Sequence, residues 1–329
     1  MFAITAASTS MSDPFSGLAL DQDYPEPERR EGWELVRVKA ASLNHHDLWT
    51  LRGVGTRDEQ LPIVLGCDAA GVTEDGREVI VHAVIGDPDE GGGDETLDPQ
   101  RTLLSEQHDG TFADQVAVPR RNLIDKPEEI SFSEGACLPT AYLTVYRALF
   151  TRGGARPGDR LLVQGAGGGT TTAAILLARA AGLRVYTTSR SDEKRKQATG
   201  LGAHEVFETG ERLPERVDMV FDSVGEATWE HSLKSLRPGG TLVCIGATSG
   251  RNPEMSLPHV FFRQLRVVGS TMGTRDELVA LVRFMRATGL RPLIDDVIPM
   301  REGRQAFERM NEGALFGKLV LTNEQPLSP

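Results

Sequence analysis

The pattern of apolar and polar positions changes along the chain and divides it into two regions. Between residues 33 and 119, short stretches of alternating apolar and polar residues are separated by Gly, Pro and Asp. This pattern is typical of strands that bury one face. From residue 160 to about 273, short continuous apolar runs alternate with helical segments, as expected for buried parallel strands joined by helices. The sequence therefore predicts an α/β fold in which a β-rich domain accompanies a doubly wound parallel sheet.

The predicted elements follow from these two patterns, and two segments stand apart from them. Residues 1–30 mix Ser, Pro, Asp and Glu with few apolar residues, which predicts a loosely held arm. Residues 86–98 are acidic and rich in glycine, which predicts a mobile surface loop. Ser131 or Ser133 is expected to cap a short helix. The strands are predicted at 33–43, 63–72, 79–81, 112–119, 161–163, 185–188, 217–225, 240–246, 265–273, 297–298 and 317–321, and the main helices at 139–149, 171–181 and 276–287.

A glycine-rich turn lies between the apolar run 161–163 and the helix predicted at 171–181. Such a turn lets the backbone approach a pyrophosphate, while the first N–H groups of the helix point at the anion. Thr170 stands at the sixth position, where glycine is usual. The second strand at 185–188 supports dinucleotide binding over a purely structural turn. The residues predicted to form the turn are Gly165, Ala166, Gly167, Gly168, Gly169 and Thr170.

The end of the second strand in this unit normally decides between NAD and NADP. An NAD site has Asp or Glu there to accept hydrogen bonds from the adenosine ribose. The position is Ser189 in this chain, and Arg190 and Lys194 follow it. A hydroxyl group and two cations suit a 2′-phosphate, so the sequence predicts NADP(H). The neighbouring Arg195 and Lys196 are expected to be on the solvated face of the next helix.

Composition and charge exclude several classes of protein. The 47 acidic and 36 basic residues give a net charge of -11, which opposes binding to nucleic acid or to an anionic membrane. No apolar run reaches the roughly 20 residues that cross a bilayer, and the start of the chain does not have a basic segment followed by an apolar one. The widely spaced Cys67, Cys137 and Cys244 do not predict a disulfide framework. We expect a cytoplasmic enzyme.

Six segments occur in a characteristic order around the glycine turn: NHHDLW, LGCDAAG, DGTFADQVAVP, TAYLTVYRAL, DSVG and GKLVL. Together they resemble the medium-chain dehydrogenase/reductase superfamily, and most closely its quinone oxidoreductase branch, over about residues 33–322. The resemblance implies a GroES-like catalytic domain at 1–140, a Rossmann domain at 141–273 and a return to the first domain at 274–329. It also implies a cleft between the domains and a homodimer joined through the Rossmann sheet, for which the run 265–268 is a candidate edge.

The chain departs from the zinc-dependent members of this superfamily at the metal positions. Those members carry Cys at the position of Asn44, His-Glu at the positions of Cys67 and Asp68, and Cys at the position of Thr140. Catalytic zinc needs about three protein ligands, so no metal is predicted. A nonstandard set of Cys67, Asp68 and one of His45 or His46 remains open, although buried cysteine usually packs as a small apolar group. The four-cysteine structural zinc site is absent because residues 86–108 contain no cysteine.

The resemblance also assigns roles to individual residues. Asn44 and Asp47 would lie beside the nicotinamide and its ribose, with a cap of the local turn as the alternative. His45, His46 and Tyr142 are candidate proton donors to the acceptor oxygen. Asp222 would shape the cofactor edge, with a structural turn as the alternative. The further residues of the cofactor site would be Thr144, Gly246, Ala247, Ser270, Thr271, Met272 and Lys318.

These features together predict a zinc-independent NADPH-dependent reductase that transfers hydride to a quinone or an α,β-unsaturated carbonyl. Such small electrophilic acceptors are reduced more easily than an isolated ketone, for which the Lewis acid matters more. Two alternatives remain open: an NADP-dependent alcohol dehydrogenase with an altered zinc site, and a non-catalytic NADPH-binding regulatory protein. Neither a nucleic acid nor a membrane is expected as a partner.

Overall fold

The computed structural model describes residues 1–323 and divides them into two compact units. Unit 1 contains Met1–Thr140, Gly273–Val279 and residues 294–323, and unit 2 contains Ala141–Met272 and Ala280–Leu293. The strands, in chain order, are β1 Ala3–Ala6, β2 Leu18–Asp21, β3 Trp33–Ser42, β4 Ile63–Val64, β5 Asp68–Thr73, β6 Glu78–Val81, β7 Val84–Ile85, β8 Thr102–Leu103, β9 Gln115–Pro119, β10 Leu123–Asp125, β11 Arg160–Val163, β12 Arg184–Thr188, β13 Glu205–Phe207, β14 Val217–Asp222, β15 Leu236–Cys244, β16 Arg266–Gly269, β17 Ile294–Pro299 and β18 Lys318–Thr322.

Helices connect these strands, and one long helical region departs from regular α geometry. Residues 138–152, predicted from 139 to 149 as one helix, form an α-helical turn between two π-helical segments, Leu138–Tyr142 and Arg147–Arg152. No helix within residues 1–323 is both long enough and apolar enough to cross a membrane. The α-helices are α1 His45–Leu51, α2 Phe132–Ala136, α3 Leu143–Tyr146, α4 Gly169–Ala180, α5 Asp192–Leu201, α6 Glu226–Ser235, α7 Leu257–Phe262, α8 Arg275–Thr288 and α9 Arg304–Glu312.

The main sheet of unit 1 has the order β10-β6-β5-β3-β18-β17, and β9 also pairs with β3. Its pairs are antiparallel except for β17 and β18, which run parallel. Strand β18 pairs with β3 through Val320 and Ser42. This pairing brings Lys318, at the start of β18, next to the residues that follow β3.

Unit 2 is built on a six-stranded parallel sheet with the order β13-β12-β11-β14-β15-β16. The register partners Leu162, Tyr186, Val220 and Leu242 bury their side chains in one core cluster against this sheet. The order reverses between β11 and β14, and such a switch point creates a crevice at the carboxyl ends of the strands where ligands bind. The α/β fold class predicted from the sequence is confirmed.

The prediction of a loose arm at residues 1–30 is wrong. Strand β1 is fully buried and lies between β2 and β4 in a three-stranded antiparallel sheet. Phe2 and Ile4 are core residues, and the terminal ammonium of Met1 donates a hydrogen bond to the Tyr24 carbonyl. The pairing partners come from other parts of the chain, so local composition does not reveal this strand.

The acidic segment 86–98 is held by specific hydrogen bonds, contrary to the prediction of a mobile loop. The Asp98 carboxylate accepts from the Asp87 and Gln100 backbone N–H groups at 2.7 Å each. Asp94 caps the short helix Glu95–Leu97, and the buried Glu95 accepts from the Arg275 N–H at 2.6 Å. The acidic side chains satisfy backbone donors, and this gives the segment a defined conformation.

Helix α8 shows where the predicted division of the tail differs from the structure. The sequence assigns all of residues 274–329 to the first domain, but residues 280–293 belong to unit 2. Phe284 of α8 packs against Tyr146 and Phe150, with ring centroids 6.3 and 6.0 Å apart. This aromatic contact explains why the second half of the helix belongs to unit 2. Residues 324–329 of the predicted tail lie outside the described residues.

Candidate functional site

The polar residues that follow β3 form the start of α1 in unit 1. Asn44 is the N-terminal cap residue of α1 and is 7% exposed. The fully buried Asp47 accepts from the Asn44 N–H at 2.8 Å and from the Gly66 N–H at 3.2 Å. An acidic side chain in the first helical turn satisfies otherwise unpaired backbone donors. Asp47 thus fixes the turn, as the capping alternative predicts.

Asn44, Asp68 and Lys318 form a buried hydrogen-bond network, which we call the amide network. The Lys318 Nζ donates to Asn44 Oδ1 at 2.6 Å and to the Leu43 carbonyl at 2.5 Å. The Asn44 Nδ2 group donates to Asp68 Oδ2 at 2.8 Å and to the Ser42 carbonyl at 3.2 Å. These bonds fix the orientation of the Asn44 amide and place a positive charge beside it.

Asp68 is the fully buried anion of the amide network. It accepts from Thr140 Oγ1 at 2.6 Å and from Ser42 Oγ at 3.0 Å, and its Oδ2 lies 3.8 Å from Lys318 Nζ. Burial raises the pKa of this carboxyl above 3.8, while Lys318 and the three hydrogen-bond donors act in the opposite direction. The sequence assigns Lys318 to the cofactor site, but the structure shows its ammonium group buried in this network.

His46 lies at the partly exposed edge of the same region. Its Nε2 is 3.2 Å from Glu106 Oε1, and its Nδ1 is 3.5 Å from Ser105 Oγ and 3.9 Å from Asp47 Oδ1. Burial by itself lowers the pKa of His46, but hydrogen bonds to Asp47, Cys67 and Glu106 outweigh burial and raise it well above 6.5. The surroundings of the imidazole therefore favour its charged form. His45, the neighbouring candidate, is exposed.

The metal positions implied by the sequence do not offer a zinc donor set. Asn44 presents an amide and Thr140 a hydroxyl group, and both already have hydrogen-bond partners. The Lys318 ammonium group lies 2.6 Å from Asn44 Oδ1, and its charge would repel a metal dication there. Asp68 belongs to the amide network, so Cys67, Asp68 and a histidine do not form the nonstandard set considered from the sequence.

Among the described residues, His46, Asp47 and Cys67 do bring ligand-type atoms within 4.8 Å of one another. Zinc requires a neutral imidazole and a thiolate. Burial and the nearby Asp68 raise the pKa of the Cys67 thiol, and the surroundings of His46 favour its charged form. Both Asp47 oxygens accept backbone N–H groups. To bind zinc here, the imidazole and the thiol would each have to lose a proton, and Asp47 would have to give up a backbone hydrogen bond.

In unit 2 the glycine turn connects β11 to α4 at the switch point of the sheet. Gly165 and Gly167 have φ angles of 85° and 113°, a left-handed conformation that other residues rarely adopt. The Gly165 N–H donates to Thr188 Oγ1 at 3.1 Å, which joins the turn to β12. Helix α4 begins at Gly169, so the turn is shorter than predicted and the helix N-terminus lies directly behind it. This arrangement is a ready site for a pyrophosphate.

The segment after β12 carries the groups predicted to select the cofactor. Ser189 is buried, and its Oγ accepts from the Ser191 N–H at 3.2 Å. Arg190 is exposed. Arg195, expected to be simply solvated, instead donates to the Ser189 carbonyl at 2.5 Å and pairs with Asp192. Arg195 thus holds this loop in place, and the Arg190 guanidinium remains exposed to solvent.

The other predicted cofactor residues of unit 2 differ in their surroundings. The Asp222 carboxylate accepts from the Val224 and Gly225 N–H groups and from Thr228 and Ser232 hydroxyls, so its bonds are those of the structural-turn alternative. Among the described residues, the buried Ser270 Oγ has no hydrogen-bond partner, and a bound group could supply one. Gly246 is partly exposed, Ala247 and Thr271 are exposed, and Thr144 and Met272 are buried.

Tyr142 is placed away from any exposed surface. It is fully buried in unit 2, and its hydroxyl accepts from the Leu293 N–H at 2.8 Å. A side chain in this position stabilises the interior and does not meet a substrate. Sequence reasoning missed Glu106 and Ser42 as members of the site, and it considered Thr140 only as a position that lacks a zinc ligand. A polar residue that ends a strand, as Ser42 does, is a usable signal, whereas Glu106 lies in an irregular segment without a motif.

Two family models match the chain. The alcohol dehydrogenase GroES-like domain matches residues 30–128, and the zinc-binding dehydrogenase domain matches residues 169–287. A solved structure of an NAD-dependent alcohol dehydrogenase superposes with a TM-score of 0.89 and 33% sequence identity, and covers 98% of this chain and 100% of that chain. The chain belongs to the medium-chain dehydrogenase/reductase superfamily. It is an oxidoreductase of a superfamily that uses a nicotinamide cofactor.

Curated relatives within the superfamily carry different activities. Acryloyl-coenzyme A reductase of Sulfurisphaera tokodaii is 26% identical over 328 residues, which cover 94% of this chain and 97% of that protein. Quinone oxidoreductase of Mus musculus is 27% identical over 324 residues, which cover 92% of this chain and 93% of that protein. Members of the superfamily therefore share this architecture but differ in substrate. The substrate of this chain depends on the residues of its own site and not on the fold alone.

Proposed function

We propose that this protein is a zinc-independent, NADPH-dependent reductase whose acceptor is a quinone or an α,β-unsaturated carbonyl. The observation that carries the proposal is the amide network. Asn44 and Asp68 stand at two of the positions where the chain departs from zinc-dependent members, and both are paired within this network, Asn44 with Asp68 and each of them with Lys318. Without a Lewis acid, an isolated ketone is a poor acceptor, whereas a conjugated acceptor spreads the developing negative charge over its own π system.

The proposal that the cofactor is NADPH rests on residues of unit 2. The left-handed Gly165 and Gly167 allow a close approach of the backbone to a pyrophosphate. Ser189 replaces the carboxylate that would repel a 2′-phosphate, and the exposed Arg190 offers a guanidinium for it. NADPH would supply the hydride that reduces the acceptor.

We assign the accompanying proton to His46. Its Nε2 is engaged by Glu106 at 3.2 Å, while its Nδ1 lies 3.5 Å from Ser105 Oγ and 3.9 Å from Asp47 Oδ1. Reduction needs one proton for each hydride, and the charged imidazole can donate it from Nδ1 to the developing oxyanion. The imidazole then becomes neutral and regains a proton from water. Asn44 and Asp47 are positioning residues in this scheme, since their polar atoms are already bonded within the protein.

We also propose that the protein forms a homodimer joined through β16. This strand is at the edge of the parallel sheet of unit 2, and an exposed edge strand is a template for pairing with another chain. Helix α7, just before it, exposes Leu257, Phe261 and Phe262, the last of these at 79%. Apolar side chains beside a strand edge of this kind are suited to pack against the same side chains of a second copy of the chain.

The test combines metal analysis with turnover. Purified protein, with its zinc measured by mass spectrometry, is mixed anaerobically with NADPH or NADH and with benzoquinone, cyclohexenone or cyclohexanone. We expect NADPH oxidation with the first two acceptors, little with the saturated ketone, and no loss of rate after chelation. Activity that requires zinc would instead support the alcohol dehydrogenase with an altered site. Cofactor binding without oxidation by any acceptor would support the regulatory protein, and either result contradicts the reductase.

A further inference from the structure

The partner of His46 is held by an unusual piece of backbone. Glu106 lies in a tight turn in which Ser105 N–H donates to the His108 carbonyl at 2.9 Å and Glu106 N–H donates to the Leu103 carbonyl at 3.2 Å. Ser105 is buried and has a φ angle of 67°. Residues other than glycine rarely adopt this left-handed region, because the Cβ atom is crowded there. The turn therefore holds a strained conformation immediately before the carboxylate that faces His46.

The Glu106 carboxylate is also fixed at both oxygens. Oε2 accepts from the Leu103 N–H at 2.9 Å and from Thr102 Oγ1 at 3.3 Å, and this leaves Oε1 directed at His46 Nε2. Gly55 packs against this group, since a Cβ atom added there would lie 2.8 Å from Oε1. These contacts fix the direction in which Oε1 faces the imidazole.

The proposed function requires a charged His46 whose ring has one fixed orientation. We propose that Glu106 is the positioning residue of the reductase: it holds the Nε2 proton of His46, stabilises the imidazolium and directs Nδ1 toward the acceptor. The proton step in this inference rests on the proposed function, whereas the pairing of Glu106 with His46 rests on the contacts described above. A carboxylate that orients a histidine through one nitrogen while the other nitrogen reacts is a recurrent arrangement in enzymes.

The charges around His46 are consistent with this role. The groups that face the ring are Asp47 from α1, Cys67 from the segment after β4, and Glu106. Asp47 Oδ1 lies 3.9 Å from Nδ1, and the Asp47 carboxylate accepts hydrogen bonds from two backbone N–H groups. The Cys67 thiol carries no charge when it is protonated. Glu106 is thus the nearer of the two carboxylates, with its Oε1 3.2 Å from Nε2. The hydrogen bond to His46 contributes to lowering the pKa of Glu106 against the opposing effect of burial.

The inference is tested with Glu106→Gln, which keeps the shape of the side chain and removes its charge. The first readout is the ¹⁵N NMR titration of the His46 ring, assigned by comparison with His46→Gln, and it does not depend on activity. We expect the pKa of His46 to fall by about 1–2 units in Glu106→Gln. Glu90→Gln is the matched control. This substitution removes the same charge from an exposed residue in the same part of the sequence.

The second readout is the pH dependence of kcat with NADPH and benzoquinone. We expect its alkaline limb to move to lower pH in Glu106→Gln by the same shift as the NMR titration, with the KM for NADPH unchanged. An unchanged His46 titration would overturn the role of Glu106 even if the wild-type protein reduces quinones. A shifted titration in a protein without turnover would uphold the pairing and contradict the proposed function instead.

Discussion

The Nζ of Lys318 lies 2.6 Å from Oδ1 of Asn44, although 274 positions separate the two residues. This contact joins the start of β18 to the start of α1 and completes the amide network with Asp68. Because the three side chains are buried, each depends on the other two for hydrogen bonds that water would otherwise supply. The network should therefore respond strongly to the loss of one member.

Replacing Lys318 with Met should destabilise unit 1 by about 3–5 kcal/mol, because the change leaves the buried Asp68 carboxylate without its cation. The free energy of unfolding in urea measures this effect. Lys318→Met combined with Asp68→Asn removes both charges and should recover a large part of the loss. Equal stabilities of the single and double variants would show that the Lys318–Asp68 pair carries no such energy.

Replacing Arg190 with Ala should weaken NADPH binding about tenfold and leave NADH binding unchanged, because a charge-assisted hydrogen bond to phosphate is worth about 1.5–3 kcal/mol. Fluorescence titration of both cofactors measures the ratio. Lys196→Ala is the matched control, since Lys196 is an exposed cation of the following helix. Parallel weakening of both cofactors in Arg190→Ala would contradict selection of the 2′-phosphate.

His46 should contribute a pH-dependent part of the stability. Burial lowers its pKa, but hydrogen bonds to Asp47, Cys67 and Glu106 raise it well above 6.5 in the folded protein. A raised pKa stabilises the folded state below the unfolded value of 6.5, and this stabilisation is lost as pH rises through the folded value. Wild type should therefore exceed His46→Gln in unfolding free energy near pH 6, and the difference should shrink at alkaline pH. Urea titrations across this range measure it, and a difference that grows with pH would contradict the assigned charge.

Replacing the exposed Phe262 with Asp should dissociate the proposed dimer, because the change puts a charge in an apolar contact beside β16. Sedimentation velocity at several protein concentrations measures the change in mass. Leu97→Asp serves as the control, as Leu97 is an exposed apolar residue of unit 1 at 59% exposure. A wild-type protein that sediments as a monomer at all concentrations would remove the basis for this interface.

The parts of the fold with strong local patterns were predictable from the sequence. The turn at Gly165 and Gly167 and the strands around it follow from glycine spacing and continuous apolar runs. The strand Ala3–Ala6 was not predictable, because its four residues have no distinctive pattern and its burial depends on partners in β2 and β4. Periodicity describes one segment at a time, whereas strand pairing depends on the whole chain.

The residues of the candidate site also differ in whether a local sequence pattern reveals them. Asn44, Asp47 and His46 follow a strand directly and are visible as a polar cluster in the sequence. Glu106 reaches His46 across 60 positions from an irregular turn, and no motif marks it. Tyr142 looks like an available donor in the sequence, but its hydroxyl is bound inside unit 2. Residue type and spacing show which chemistry is available, and the fold decides which groups are accessible.

The place of β18 in unit 1 has a consequence for synthesis of the chain on the ribosome. Strand β18 lies between β3 and β17, and Lys318 reaches Asn44 only once β18 is paired. Domains generally fold from the N-terminus as they emerge during synthesis. A nascent chain without β18 can form the parallel sheet of unit 2, but it leaves Asp68 without its cation. Assembly of the amide network therefore has to wait until β18 has left the exit tunnel.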